Sequence, residues 1–214
     1  ILPPPEQTRD EYYHINQRLK VFIKEIREGY RGPEVVVSRS DPKLVEGLFM
    51  MEVPELQSGS VVVKAIAREA GGRTKIAAIS TQEGVDPVGS MVGQKGVRVQ
   101  AVLQELGEEK IDIVTFSEDP ARFITAALSP AKDLLVTFEE TQEGKLAKVR
   151  VPSTQLSLAI GKGGQNVRLA SQLTGWEIDI MTEAEESEQR TKELKERSHV
   201  FIEALDVDDV IAHL

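Results

Sequence analysis

The stretch MVGQKGVRV at residues 91–99 recurs as AIGKGGQNV at residues 159–167. A second stretch, KIDIVT at residues 110–115, recurs as EIDIMT at residues 177–182, at nearly the same distance along the chain. Two landmarks that keep one spacing indicate two copies of a module of about 70 residues. The fold is therefore predicted from this internal repeat, because overall composition alone would fit many kinds of domain.

Each copy of the repeat reads as helix, strand, strand, helix, glycine loop, helix, strand. Helices are predicted to begin at Pro42, Pro87 and Pro120. Each of these prolines follows an aspartate, and an Asp-Pro pair combines a strong N-cap with the residue favoured at the first helical position. The pattern predicts an α+β fold with one module over residues 40–118 and another over residues 119–182. The predicted strands are residues 61–67 and 75–80 in the first copy, and residues 134–138 and 146–151 in the second.

The segment before the repeat, residues 1–39, has a different pattern. Residues 19–26 alternate apolar and polar side chains and predict a strand, and residues 35–37 predict another. Between them, Gly29–Gly32 is most simply a hairpin turn, because glycine is favoured in tight turns. Two strands alone are marginally stable in water. We therefore expect this segment to pack against other parts of the protein.

The chain of 214 residues is acidic, with a formal net charge of −9, and contains no cysteine. The lack of cysteine excludes a disulfide scaffold, cysteine-ligated zinc, an iron–sulfur cluster and a thiol nucleophile, and no apolar run is long enough for a membrane span. The acidity at first argues against nucleic-acid binding. However, residues 183–214 hold ten acids and four bases, so six of the nine net negative charges lie in this tail. Residues 183–197 predict a charged helix, and another apolar helical stretch is predicted to begin at Val200.

Both glycine loops of the repeat have features that suit a phosphate group. A turn of glycines lets another polymer backbone approach closely, and the free N–H groups of the helix that follows favour an anion. Lys95 and Lys162 add a cation inside each loop, and Arg98 and Arg168 follow in the next helices. The repeated Ile-Asp-Ile strand would form the other wall of a groove for bases. This combination is typical of a KH module, which holds about four single-stranded nucleotides.

The loops fit other phosphate-binding motifs less well. GKGG at residues 161–164 lacks the spacing of a P-loop, and it follows a helical pattern rather than the strand that a dinucleotide-binding turn requires. Both loops could be merely tight helical turns, since a single Gly-x-x-Gly is a weak signal. Two alternatives of other functional classes remain open. One is an enzyme that binds a phosphorylated small molecule through Lys162, and the other is a protein-interaction scaffold that does not bind RNA.

Several stretches of the chain resemble the NusA family of bacterial transcription factors. These are residues 48–54 (LFMMEVP), 67–77 (AREAGGRTKIA), 86–96, 109–113, 127–131 (ALSPA) and 155–180. The resemblance covers nearly the whole chain and implies two tandem KH domains of the bacterial type (type II). It also implies that residues 1–39 are the C-terminal part of an OB-type RNA-binding domain, and that residues 183–214 are an acidic linker leading into a helical repeat.

The resemblance further implies a function. It suggests a protein that is not an enzyme and has no cofactor, binds nascent single-stranded RNA, and works with RNA polymerase and other transcription factors as a cytoplasmic monomer away from membranes. Such a factor modulates pausing, termination and antitermination. At Gly163 the sequence departs from the family, which usually has an acidic or polar residue there. The implied RNA contacts are Gly93, Gln94, Lys95, Gly96 and Arg98, then Gly161, Lys162, Gly163, Gly164, Gln165, Asn166 and Arg168, with Arg73 and Lys75 as weaker candidates.

Overall fold

One hairpin and two three-stranded sheets organise the protein in a computed structural model that describes residues 1–9, 11–141 and 144–205. The two sheets belong to two successive modules that share the element order helix–strand–strand–helix–helix–strand, except that the first module has an additional four-residue helix before its first strand. The predicted α+β class and the internal repeat are therefore confirmed. The hairpin precedes the first module, and a long helix follows the second.

The N-terminal hairpin consists of β1 (Phe22–Gly29) and β2 (Gly32–Ser38), which pair antiparallel across the predicted turn. Strand β1 begins later than the sequence pattern predicts. The reason is that the backbone of Lys20 is used elsewhere: its carbonyl accepts a hydrogen bond from Arg39 at 2.7 Å, and its N–H donates to Glu105 of the first module at 3.1 Å. These two strands form a sheet of their own, so the assignment to an OB-type domain stays a prediction.

Buried Arg39 attaches the hairpin to the first module. The residue is 1% exposed, and its guanidinium forms an ion pair with Glu11 from the N-terminal segment and another with Glu105 at 2.9 Å. Its Nη2 also donates to the Glu105 backbone carbonyl at 2.9 Å. Because an arginine can donate five hydrogen bonds in a fixed plane, this one side chain fixes three segments relative to each other.

The first module packs its helices on one face of a mixed three-stranded sheet. Strand β4 (Arg73–Ser80) lies in the centre, antiparallel to β3 (Val61–Glu69) and parallel to β5 (Lys110–Thr115). Its core is formed by apolar side chains such as Phe49, Ile76 and Met91, each 0% exposed. The elements are α1 (Pro42–Glu52), α2 (Pro54–Gln57), β3 (Val61–Glu69), β4 (Arg73–Ser80), α3 (Pro87–Val92), α4 (Val97–Leu106) and β5 (Lys110–Thr115).

The second module repeats this arrangement, with β7 (Gly144–Val151) in the centre of its sheet. The long helix after it runs without a break to Leu205, whereas the sequence pattern predicts a new helix at Val200. No glycine or proline interrupts this stretch, which explains the continuity. Residues 206–214 lie outside the described residues. The elements are α5 (Pro120–Ala127), β6 (Leu135–Thr141), β7 (Gly144–Val151), α6 (Leu156–Ile160), α7 (Gln165–Thr174), β8 (Glu177–Thr182) and α8 (Glu183–Leu205).

The predicted helix starts at the three Asp-Pro pairs are confirmed. The carboxylate of Asp41 accepts a hydrogen bond from the N–H of Lys43 at 2.9 Å, and Asp86 and Asp119 make the same contact at 3.1 and 3.0 Å. A side-chain acceptor at this position satisfies one of the N–H groups that lack a partner in the first helical turn.

The two modules share an apolar core. Ala67 and Val114, on the outer face of the first sheet, belong to the same buried cluster as Ile124 and Leu169 from the helices of the second module. Small alanines on that face let α5 and α7 approach the sheet closely. The modules are consequently fixed side by side, and both glycine loops belong to one continuous body.

Candidate nucleic-acid interface

The two glycine loops have nearly identical backbones. The first glycine has φ 76° and ψ 170° at position 93, and φ 76° and ψ 171° at position 161. The third residue is left-handed in both loops, with φ 53° at Lys95 and φ 60° at Gly163. The last glycines, Gly96 and Gly164, are also left-handed, with φ of 77° and 74°. Because the backbone angles match at these three positions, the two loops present the same shape to a ligand.

The first glycine of each loop has no room for a side chain. A methyl group at Gly93 would lie 2.7 Å from Cγ of Arg98, and one at Gly161 would lie 2.8 Å from the backbone nitrogen of Asn166. In both cases the obstructing residue is the second residue of the following helix. The loop therefore closes directly against the helix start, which a larger residue would prevent.

The tips of the loops are exposed and carry the cations. Gln94 and Lys95 are exposed in the first loop, and Lys162 and Gly163 in the second. Among the described residues, neither Lys95 nor Lys162 takes part in an ion pair. Each tip stands at the N-terminal end of a ten-residue helix, α4 or α7, where the helix dipole favours an anion. The first N–H of each helix is already used within the loop, since Val97 donates to the carbonyl of Gln94 and Gln165 to that of Lys162.

Arg98 and Asn166 occupy equivalent positions and both turn inward. Arg98 donates to the carbonyl of Ser90 at 2.5 Å and to the carboxylate of Glu55 at 2.7 Å. Asn166 is 2% exposed and donates to the carbonyl of Leu158, the counterpart of Ser90, at 3.2 Å. Both side chains thus tie the helix before the loop to the helix after it. Asn166 does not reach the surface where a ligand would lie.

Gln165 and Arg168 reach from the second module to the first. Both contact Glu69, the last residue of β3: the Gln165 amide donates at 2.8 Å and the Arg168 Nε at 2.6 Å. The hydrogen bond from Arg168 is the main reason that the pKa of Glu69 is below its ordinary value. Glu69 was not predicted as part of the site, since it lies 99 positions from Arg168.

Arg73 and Lys75, the weaker candidates, lie at the seam between the modules. Arg73 forms two hydrogen bonds with Asp112, at 2.6 and 3.0 Å. Lys75 is 0% exposed and donates to Asp112 at 3.1 Å and to the carbonyl of Ser129 in the second module at 2.8 Å. Burial acts to raise the pKa of Asp112, but the contacts with the two cations outweigh it and lower that pKa. Lys75 therefore joins the modules and is not accessible to a ligand.

The Ile-Asp-Ile strand of the first module lies at an edge of its sheet. Ile111 and Ile113 of β5 are partly buried against the core beneath the helices, while Asp112 faces the seam. This alternation follows from the two-residue period of a strand. The apolar face of this edge strand and the helices that flank the loop thus lie on the same side of the sheet.

No helix among the described residues combines the length and apolar character that a bilayer crossing requires.

Comparisons with known proteins match both modules. The family model of the NusA-like first KH domain matches residues 39–116, and that of the NusA-like second KH domain matches residues 120–188.

Relatives named transcription termination/antitermination protein NusA are similar over most of the chain. The protein of Halalkalibacterium halodurans is 48% identical over 199 residues, which are 93% of this chain and 52% of that protein. The Bacillus subtilis protein is 51% identical, over 88% of this chain and 50% of its own length, and the Thermus thermophilus protein is 51% identical, over 83% and 45%. The chain spans about half the length of these curated relatives. With both KH domain models matched in succession, the chain belongs to the NusA family.

Proposed function

We propose that this chain is the RNA-binding part of a transcription elongation factor, and that it binds nascent single-stranded RNA through its two KH modules. The observation that carries the proposal is the pair of matching glycine loops with exposed cations at helix N-termini. A loop of this shape suits a phosphate backbone, and we expect the bases to lie beside the strand that follows each loop helix, as in other KH modules. The names of the relatives support a role in termination and antitermination of transcription.

The proposed RNA contacts are concentrated at the loop tips. They comprise the backbone of both loops, the side chains of Gln94, Lys95 and Lys162, and, beside the second loop, Gln165 and Arg168. We assign a supporting role to the side chains that turn inward or lie at the seam. Those side chains are Arg98, Asn166, Arg73 and Lys75.

The wider role is proposed from family membership. We infer that the protein acts with RNA polymerase and other transcription factors, as a cytoplasmic monomer and without catalysis, to modulate pausing, termination and antitermination. Residues 1–39 would be the end of an OB-type domain that extends the RNA surface, and residues 183–214 a linker to further helices. Within the residues described, β1 and β2 would be the contribution of that domain.

Titration of a labelled, mixed-sequence single-stranded RNA tests the proposal. Fluorescence anisotropy should show saturable binding that weakens as salt rises, with the logarithm of the affinity falling by about 0.7 for each phosphate neutralised per tenfold rise in salt. An RNA of roughly 12 nucleotides is long enough for two modules that hold about four nucleotides each. Binding of mononucleotides with no binding of RNA would contradict the proposal and favour an enzyme for phosphorylated small molecules.

Deleting residues 183–214 is expected to tighten RNA binding a few-fold at low salt, because the deletion removes six net negative charges. The helix α8 begins at the second sheet, where Glu186 pairs with Arg150 of β7 at 3.1 Å. The same titration on both chains, with circular dichroism to verify folding, measures the effect. If the effect is electrostatic, it disappears at high salt; equal affinities at low salt would mean that the tail does not act through its charge.

A further inference from the structure

The second glycine loop is in contact with an acidic side chain of the first module. Both carboxylate oxygens of Glu69 are used: Oε1 accepts from Nε of Arg168 at 2.6 Å, and Oε2 accepts from the amide of Gln165 at 2.8 Å. Gln165 and Arg168 lie in the first turn of α7, directly after the loop. A carboxylate from one module therefore occupies donors at the start of the helix that follows the glycine loop of the other.

The guanidinium of Arg168 lies against the loop itself. Its Nη1 donates to the carbonyl of Gly163 at 3.2 Å, and a methyl group at Gly164 would meet the same nitrogen at 3.8 Å. A phosphate bound at the loop would consequently be next to this guanidinium. The fork of an arginine can bind a phosphate and a carboxylate in the same way, so the two anions compete for it.

The contact with Glu69 is not what holds the modules together. The ion pair is open to solvent, with 49% of the Arg168 side chain and 30% of the Glu69 side chain exposed, and ion pairs of this kind contribute little to stability. The shared apolar core and the contact of Lys75 with Ser129 already fix the modules. Glu69 can therefore exchange its partner without separating them.

Within the part of the chain that the structure describes, the first loop has no contact with a carboxylate of the other module. The position in α4 that corresponds to Arg168 is Gln100, an exposed uncharged residue. The exposed cation of the first loop, Lys95, forms no ion pair among the described residues. The two loops thus match in backbone, but among residues 1–9, 11–141 and 144–205 only the second has an anion from the other module beside it.

We propose that Glu69 is a built-in competitor for the second loop, and that an RNA phosphate must displace it from Arg168 in order to bind there. This inference rests on the proposed function and adds a difference between the two loops. At the first loop no carboxylate from the other module competes among the described residues, whereas at the second loop a phosphate gains Arg168 only by outcompeting the Glu69 carboxylate. Glu69 would therefore reduce non-specific phosphate binding at the second loop, because a weakly placed phosphate would not displace it.

Glu69→Gln is the variant that tests the competition. Glutamine keeps the size and one acceptor oxygen but removes the charge. We expect RNA binding to tighten by about two- to fivefold, the range that an exposed ion pair allows. The salt dependence should become steeper by about 0.7, because Arg168 then neutralises one more phosphate.

Glu139→Gln is the matched control. Glu139 is at the strand position of β6 that corresponds to Glu69 in β3, and it pairs with Lys148 at 2.8 Å instead of with a loop residue. The control removes the same charge from the equivalent position of the other sheet. The tightening should be specific to Glu69→Gln and should be absent when Arg168→Gln is also present.

A measurement on Arg168 itself separates failure of this inference from failure of the proposed function. In nitrogen-edited NMR of the wild-type protein, RNA should shift the Nε–H resonance of Arg168, since this N–H exchanges a carboxylate for a phosphate. If wild-type protein binds RNA but the resonance stays in place, or Glu69→Gln binds no more tightly than Glu139→Gln, the competition is overturned and the proposed function stands. If wild-type protein binds no RNA, both are overturned.

Discussion

Replacing Glu109 by alanine is expected to lower the free energy of unfolding by about 3–5 kcal/mol. Glu109 is 1% exposed and binds Arg68 through two hydrogen bonds of 2.9 Å, while Thr74 donates at 2.5 Å. It also accepts from the N–H of Gly71 at 2.9 Å, in the turn between β3 and β4. Alanine would leave the Arg68 guanidinium, 1% exposed, without a counter-charge. A buried unpaired charge is among the largest single causes of destabilisation.

Glu108→Ala is the control, because it removes the same charge from the neighbouring exposed residue. Urea denaturation of both variants measures the difference, and similar losses of stability would contradict the assigned role of Glu109. The pH dependence gives a second check. Burial acts to raise the pKa of Glu109, but the contacts with Arg68 outweigh it, so the net pKa is below the ordinary 4.5. The stabilisation is thus present above pH 4.5 and is lost as pH falls through the folded pKa, in the wild type but not in Glu109→Ala.

Introducing aspartates at the loop tips is expected to weaken RNA binding by about tenfold or more for each loop, because charge-assisted hydrogen bonds are lost and repulsion of phosphate replaces them. The variants are Gln94→Asp/Lys95→Asp in the first loop and Lys162→Asp/Gly163→Asp in the second. Folding should be retained. Lys95 and Gly163 have left-handed backbones, a conformation in which aspartate is better tolerated than most residues.

The elements that follow local rules could be predicted from the sequence. The three helix starts depend on one aspartate and one proline each, and their N-cap hydrogen bonds span two residues. The glycine loops depend on positive φ angles, which glycine adopts readily, and the glycines and their repeated spacing can be read from the sequence. The repeat then predicts the order of elements in both modules without knowledge of how the modules pack.

The seam between the modules could not be predicted in the same way. Both faces of β3 and β4 carry apolar residues, so the sequence does not show which face is covered by the strands' own module. Nothing local indicates that Ala67 and Ala77 lie beneath helices of the second module. Contacts across the seam join residues far apart in sequence, such as Lys75 and Ser129. Polar residues that join the modules, such as Lys75, therefore look in the sequence like exposed residues that could contact a ligand.

The position of a residue within its helical turn decides whether its side chain points toward the ligand surface or into the protein, and the sequence alone does not show this. Arg98 and Asn166 follow the loops closely and carry polar groups, which made both candidates for RNA contact. As the second residue of its helix, each points back beneath the loop and binds carbonyls of the preceding helix. Two residues further along, Arg168 points outward beside the loop instead. A shift of two positions changes the direction of a helical side chain by about half a turn.

The most direct measurement of the central claim is the affinity for single-stranded RNA across a salt series, compared among the wild type and the two double-aspartate variants. If the loops bind the phosphate backbone, each variant binds more weakly and loses part of the salt dependence, while its urea denaturation midpoint stays close to that of the wild type. If both folded variants bind RNA with the affinity and salt dependence of the wild type, the glycine loops are not the RNA-binding site.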